Sequence, residues 1–540
     1  MSDTHSSEPT PPDINARVVE LTTENARLAA ERLQYRKLYL DMLETCRKLE
    51  QGILGQKRER LTGADACTTL SLLSMLLGDA AAPSAAPAVE EPTPVRAHTR
   101  QKPTGRRPLP ENLPRVDVEV LPPEVLRLGL DAFERIGEDV TETVERRPGS
   151  LVVVRTHKAK FVPKGRKRNA ETQVLQAPPP ELPIPRGLAG PGLLADTIVR
   201  RWQDHLPLHR LERIYEREGL MLPRATVCDW HLELAKLTRP LIAAMWKDAL
   251  TAPYLCTDAT GVLVQAKEKC RLGHFWVVVA PELHVLFAFT PKHDAAAVDK
   301  LLRNYKGYLV ADAHAVFDHL FRKGDVVEVG CWAHARRYWF KTLGSDPDRA
   351  KYALAYINGL FQIERAVAQA PPAERLRVRQ IQSRPLVDGF FAWCDEQADQ
   401  VLDQTPAAQA IGYARNQRQA LCRFLEDGRL PIHNNGSERQ LRREAVGRKN
   451  WLFLGNDYGG EANTSFVSLL ASCQLHKLEP WAYLRDILCL LPSWSVQRVL
   501  DLAPAYWVNT AAREDVQCTL AANIYRQATL GPSDPHRTTP

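Results

Sequence analysis

The sequence predicts a multidomain α+β protein, and three observations carry that expectation. At 540 residues the chain is too long for one ordinary core, while 44% hydrophobic residues are enough to build several. A heptad-spaced apolar seam opens the chain. Between Pro253 and about Phe340 strand-like apolar runs alternate with short helical patterns, and a long helical stretch follows before a last motif-dense block.

The seam runs Ile14, Val18, Leu21, Asn25, Leu28, Arg32, Tyr35, Tyr39, Met42, Cys46, Leu49, Ile53, alternating steps of four and three. This predicts a coiled coil over residues 1–60 that pairs two copies of the chain, with Asn25 setting register at some cost in stability. Residues 61–115 read mostly as linker, Pro- and Ala-rich and basic at the end. A small basic module is expected over 116–176, with a strand at Ser150–Thr156 and a dense cluster of Arg155, His157, Lys158, Lys160, Lys164, Arg166, Lys167 and Arg168. Residues 177–247 begin with the hinge APPPELPIPRG and continue as three short helices, Thr226 capping the last.

From 248 to 340 the expected order is β-β-β-α-β-α-β. Tyr254–Gln265 is the first strand; His274–Ala280 and Leu283–Thr290 form a hairpin around Pro281 and Glu282. Asp294 caps a helix through Tyr305, GYLVADA ends a strand on Asp312, HAVFDHLF is a short helix and DVVEVGC the last strand. Residues 341–429 read as a helical insertion broken at Pro371 and Pro372, 430–475 as a return to the same domain, and 476–540 as a C-terminal helical segment.

Charge and cysteine usage narrow the class. The 71 Lys and Arg exceed the 64 Asp and Glu for a formal charge of +7, a mild excess that favours a polyanion only where it clusters. The 11 Cys include no C-x-x-C pair, which argues against a disulfide framework or zinc cage. The polar N-terminus MSDTHSSEPTPPD and the lack of ~18 consecutive apolar residues predict a soluble, cytoplasmic protein.

Asp258 and Asp312 sit in or at the end of apolar strands, where a carboxylate is costly without a partner. Two such groups on adjacent strands repel unless cations lie between them, and Mg²⁺ suits an all-oxygen site. Glu438, in NNGSER, stands at the start of a helix that Asn435 or Ser437 can cap. Three antiparallel strands, helix, strand, helix, strand and a late acidic helix is the chain order of the ribonuclease-H-like fold, in which the first strand, fourth strand and late helix each deliver a carboxylate. Near Glu438, Arg442, Arg443, Arg448, Lys449 and Trp451 combine charge with an aromatic, a mix suited to phosphate clamping and base stacking. Cys331 and His334 in CWAH read as a packed strand end, GRRP as a basic turn, and GNDYGG, lacking Lys-Ser/Thr, as a plain turn.

Taken in order, GRRPLPENLPR, RIGEDVTE, GCWAHARR, NNGSER, GRKNWLFLGNDYGGE and PWAYLRDIL resemble the transposases of the insertion sequence 66 family. The resemblance implies a DDE transposase that cleaves element ends and joins them to target DNA, with Asp258, Asp312 and Glu438 as catalytic acids holding two Mg²⁺ ions. It also implies a homodimer on element-end and target DNA, companion proteins from the same element, and association with the nucleoid. Relatives carry a Cys-based zinc module around RIGEDVTE; the flanks EVLRLGLDAF and KFVPKGRKRN have no Cys, so zinc is not expected here. The TDAT motif of Asp258 also departs from the Glu that many relatives place after the Asp. A nuclease that hydrolyses without joining, or a DNA-binding relic without catalysis, is compatible with the same residues.

Overall fold

A computed structural model describes residues 113–147, 149–163 and 174–530, with 23–25, 27, 109 and 111 besides. The heptad seam lies outside the described residues except 23–25 and 27, which are helical. Lys164, Arg166, Lys167 and Arg168 also lie outside them. Two compact units emerge: residues 332–428 belong to one, and 104–331 with 429–540 to the other. Among the described residues no helix is long and apolar enough to cross a membrane.

The second unit begins with β1 (Arg115–Val120), a short α1 (Pro123–Leu128), and the long hairpin β2 (Phe133–Arg147) and β3 (Ser150–Pro163), closed by β4 (Leu175–Gln176). The sheet order is β1-β3-β2, with β4 on β3. The strand expected at Ser150–Thr156 thus runs on to Pro163, because all of β2, RIGEDVTE included, pairs along it. Next come α2 (Pro191–Ile198), one wide helical turn (Val199–Gln203), α3 (Leu208–Arg217) and α4 (Arg224–Ala249). The third helix is not short: it spans 26 residues and passes through Pro240. Its N-cap is Pro223, which leaves Thr226 inside the first turn, since proline presets the entry backbone without a side-chain cap.

The central sheet contains β5 (Tyr254–Val264), β6 (Arg271–Ala280) and β7 (His284–Thr290); α5 (Ala295–Leu301), β8 (Gly307–Val310), α6 (Asp318–Arg322) and β9 (Val326–Val329) follow. Its order is β7-β6-β5-β8-β9: the first three strands are antiparallel, and β8 and β9 add parallel to β5. Asp294 caps α5, accepting from the Ala297 N–H at 3.0 Å, but the helix ends at Leu301.

The first unit is helical throughout its described 332–428 portion: α7 (Trp332–Thr342), α8 (Pro347–Ala366), α9 (Pro372–Val378), α10 (Arg384–Ala398), α11 (Pro406–Asn416) and α12 (Arg418–Cys422). Trp332, Trp339, Phe390, Phe391 and Phe424 fill its interior. Arg379 is fully buried there, yet every charge is answered: Nε and Nη2 bond the Glu364 carboxylate at 2.7 Å each, and Nη1 reaches the Phe424 and Asp427 carbonyls.

The chain then re-enters the second unit through α13 (Asn435–Trp451), β10 (Phe453–Leu454), α14 (Asp457–Leu475), α15 (Pro480–Leu490), α16 (Pro504–Ala511), α17 (Glu514–Ala522) and α18 (Ile524–Leu530). GNDYGG is not a plain turn: Asn456 caps α14, accepting from the Gly459 N–H at 2.8 Å, and Asp457 onward is helical. α14 seals the free edge of β7. Ser468 Oγ accepts from Phe287 N–H, Ser472 Oγ accepts from Val285 N–H, and His476 Nε2 meets the Leu283 carbonyl, at 2.8, 3.0 and 2.8 Å. The ladder fits because four residues of helix and two of strand both advance about 6 Å. An exposed edge that would otherwise recruit another chain is consumed.

The small sheet is locked to this unit by apolar contact and by one carboxyl group. Val152 and Val154 pack on Tyr525 and Ala528 of α18. Glu145 of β2 is fully buried; its Oε1 accepts from the N–H of Arg146 at 2.7 Å and of Leu193, in the first turn of α2, at 2.6 Å. A Cβ on Gly190 or Gly192 would collide with the carboxyl oxygens, so GPG is the sequence that lets the helix start close over it. Burial pushes the Glu145 pKa up to about 8, against the pull of the backbone N–H groups and Arg485.

The folded chain therefore holds a proton on Glu145 that the unfolded chain has lost above its ordinary value near 4.5. Stability from this group is full below that value, falls as pH rises, and is lost once pH passes about 8. Glu444, raised to about 7, acts in the same direction over a narrower window. Glu145→Gln is expected to shrink the stability difference between pH 5 and pH 8, by an amount on the order of several kcal/mol. Denaturant titrations at the two pH values measure it; an undiminished difference contradicts the assignment.

Candidate functional site

Asp258 lies in the middle of the central strand β5, and Asp312 two residues beyond the end of β8 rather than on the strand itself. Parallel pairing makes Cys256 and Val310 partners, so each Asp stands two residues past the same bonded pair, at the same end of neighbouring strands. Both line one cavity of about 240 Å³ with Ala259, Thr260, Gly261, His274, His293, His314 and Phe317. Asp258 Oδ1 accepts from the N–H of Ala259 at 2.7 Å.

Glu438 is not on that lining; it sits half-buried in the first turn of α13. Neither Asn435 nor Ser437 caps this helix. The N-cap position is Asn434, whose side chain is engaged elsewhere. Asn434 is fully buried; its Nδ2 donates to the Thr257 carbonyl at 2.8 Å, and its backbone N–H points at Cys331 Sγ at 3.2 Å. Ser437 Oγ donates back to Asn434 Oδ1 and the Asn434 carbonyl. The start of α13 is thereby tied to β5 one residue before Asp258. At the far end Arg448 bonds Thr260 Oγ1 at 2.9 Å and the Gly261 carbonyl. Among the described residues no three His, Cys, Asp or Glu side chains stand together as a ready metal cage. The two aspartates supply the hard oxygen donors that a divalent cation takes.

Three histidines at the cavity escaped sequence reasoning. His274 faces Gly261 across the β5–β6 pair. His293, just before the α5 cap, stacks on buried Trp276 with centroids 4.6 Å and planes 6° apart. His314 follows Asp312 by two residues; its Nδ1 accepts from Val316 N–H at 3.2 Å. The rings form a row, 5.1 Å from His274 to His293 and 4.7 Å from His293 to His314. Burial lowers the pKa of His274 and of His293; for His293 the neighbouring imidazoles add to this and Asp312 opposes it. Their sequence signals are single residues in LGHF, PKHD and DAHA, which only the fold brings together.

The basic residues divide by what they already bind. Arg443 is bonded to Gln203 at 3.0 Å and to Gln474, and Arg448 to β5, so both brace α13 from within the chain. Arg442 and Lys449 are exposed, and Trp451 lies half-buried beneath the guanidinium of Arg201, 5.7 Å from its ring centre. Under the same helix Glu444 is buried, accepts from Asn463 Nδ2 at 3.2 Å, and has its pKa pushed up to about 7 by desolvation. On the small sheet Arg155 pairs with Glu142 at 3.3 Å and Asp117 at 3.5 Å, and Lys160 with Asp139 at 2.6 Å. Much of that described positive charge is met by acids from β1 and β2; Lys158 is half-buried on the same strand.

Comparison with known proteins gives the family. The family model described as "Transposase IS66 family" matches residues 186–462, and a second, "Transposase C of IS166 homeodomain", matches residues 41–118. Two proteins of Sinorhizobium fredii (strain NBRC 101917 / NGR234) are similar over most of their length. "Uncharacterized protein y4hP" is 29% identical over 86% of this chain and 88% of its own, and "Uncharacterized protein y4jD" is 27% identical over 88% and 96%. The first family model covers just over half the chain and spans both cavity aspartates and the tethered acidic helix, so the chain belongs to the IS66 family of transposases.

Proposed function

We propose that this chain is a DDE transposase that cleaves DNA at the ends of its element and joins the freed ends to target DNA. The observation that carries the reading is the level placement of Asp258 and Asp312 in one cavity, with the Glu438 helix anchored one residue before Asp258. The strand order β7-β6-β5-β8-β9 supports a ribonuclease-H-like core formed by 248–340 and 430–475, with 341–429 as its helical insertion.

Asp258, Asp312 and Glu438 are the residues that would hold Mg²⁺, two ions in this reading. When bound, such ions supply Lewis-acid activation of the phosphoryl group and the attacking oxygen. In cleavage a water oxygen bonds to phosphorus as the P–O3′ bond breaks, and the departing O3′ takes up the proton that water gives up. In joining, that 3′-hydroxyl attacks a target phosphodiester, whose own O3′ departs with the proton. The chain's contribution is to seat the phosphate and orient the attacking oxygen. Arg442, Lys449 and Trp451, with Arg443 and Arg448 holding the helix, would grip DNA beside the cavity; Arg155, Lys158, Lys160, Lys164, Arg166, Lys167 and Arg168 would form a second phosphate surface. Synapsis of two ends calls for a homodimer, to which the 1–60 heptads would contribute, and companion proteins of the element fit the same scheme.

Asp258→Ala, Asp312→Ala and Glu438→Gln are each expected to abolish cleavage of labelled duplexes carrying the element ends, with DNA affinity nearly unchanged. Near wild-type cleavage by any one variant removes that residue from the site. Hydrolysis without joined product by the wild-type chain would reduce the reading to a nuclease.

The two groups of cations on and after β3 should behave differently. Replacing Lys164, Arg166 and Lys167 by Ala should flatten the slope of log affinity against log salt by at most ~2–3 units, since each neutralised phosphate contributes about 0.9. Replacing Arg155 and Lys160, already paired with acids, should change it by less than ~1 unit. Binding isotherms across a salt series decide the matter, and equal effects from both groups contradict it.

A further inference from the structure

Beyond the acids, the cavity holds a row of imidazoles that the reaction outlined above does not use. His293 is held rigidly. The Trp276 indole N–H donates to Thr290 Oγ1 at 2.7 Å, and that hydroxyl donates to the Lys292 carbonyl at 2.7 Å. The turn is thus pinned where the His293 ring lies flat on Trp276. His274 Nδ1 is buried and has no hydrogen-bond partner within the chain, so any contact to a ligand in the cavity falls to Nε2. His314 spends Nδ1 on Val316 N–H, which leaves Nε2 to carry the ring's proton. All three rings line the same 240 Å³ as Asp258 and Asp312, and Gly261 opposite His274 keeps a side chain out of that space.

We propose that His274 and His293, with His314 beside them, are the hydrogen-bond donors that seat the non-bridging oxygens of the scissile phosphodiester against the two aspartates. An imidazole offers at least one N–H in either protonation state, so the role does not depend on titration. The chemistry is complementary: the aspartates repel a bare phosphate, and the imidazoles lining the same cavity offer N–H donors. This rests on the phosphoryl-transfer reading above and assigns the residues that bind its substrate.

The test uses the full chain and an end duplex with one phosphorothioate at the scissile position. His293→Phe keeps the stack on Trp276 and removes the donor; His274→Gln is the second variant, and melting curves confirm that both fold. Without divalent metal, wild-type binding is expected to shift the single phosphorothioate ³¹P resonance, and both variants to bind the duplex equally while losing that shift. With Mg²⁺, single-turnover cleavage at saturating DNA should fall roughly 10- to 100-fold in each variant, the size of one or two lost hydrogen bonds to a charged group. The penalty of the phosphorothioate diastereomer that replaces the contacted oxygen should largely disappear in the variants. An unchanged ³¹P shift, a rate within twofold of wild type, or a thio penalty that simply multiplies with the mutation would each overturn the inference. Asp258→Ala run in parallel separates the two claims: full activity there removes Asp258, and with it this cavity, from the reaction, whereas inactivity there with normal His293→Phe defeats only the histidine assignment.

Discussion

The arrangement of the site depends on one buried asparagine. Asn434 lies five residues after the chain returns to the second unit at Arg429, and three interactions converge on it. Its amide donates to β5 beside Asp258, its backbone N–H meets Cys331 at the end of the preceding strand segment, and Ser437 closes the amide oxygen from the first turn of α13. A buried amide left unsatisfied costs about 1–3 kcal/mol, so each bond constrains the others. The chain just before and just after the 332–428 portion is thereby stapled to the strand that carries Asp258. NNGSER is best understood in these terms: Asn434 and Ser437 build the anchor that delivers Glu438.

Each unit places ionisable groups in its interior and then accounts for them. Arg379 is matched by a bidentate carboxylate and two carbonyls. Glu145 keeps its proton at neutral pH while its Oε1 gathers backbone N–H groups from the start of α2. Glu444 shares its pocket with Asn463 and lies within reach of the Arg201, Arg443 and Arg448 charges. Arg201 itself, its pKa lowered to about 10 by burial, stacks 4.4 Å from the Trp202 ring. Arg201, against Glu444 and Trp451, and Gln203, against Arg443, tie the segment 191–203 to the helix of Glu438, which explains why residues that read as a basic, DNA-facing helix surface are partly turned inward.

Much was legible because it depends on local pattern. Every strand of the central sheet from β5 to β9 was expected within a few residues, since β-branched and aromatic runs bounded by Gly, Pro and Asp report strands directly. Where expectation and structure part, tertiary context intervened. Thr226, Asn435 and Ser437 have the chemistry of caps, yet Pro223 and Asn434 hold those positions. The last of the three short helices expected before the sheet runs to 26 residues, because packing along the core rewards an uninterrupted face more than Pro240 costs.

The sequence alone determined most element types, the family motifs and two aspartates in or just past apolar strands, because hydrophobic period and turn chemistry act over a few neighbours. Only the tertiary structure decided which side chains meet. The register of β5 with β8 sets Asp258 level with Asp312, and β6 pairing brings His274 opposite Gly261. A pinned turn swings His293 onto Trp276, and acids on neighbouring strands take up Arg155 and Lys160. Those outcomes follow from contacts between residues far apart in the chain, where no local periodicity records who the partner will be.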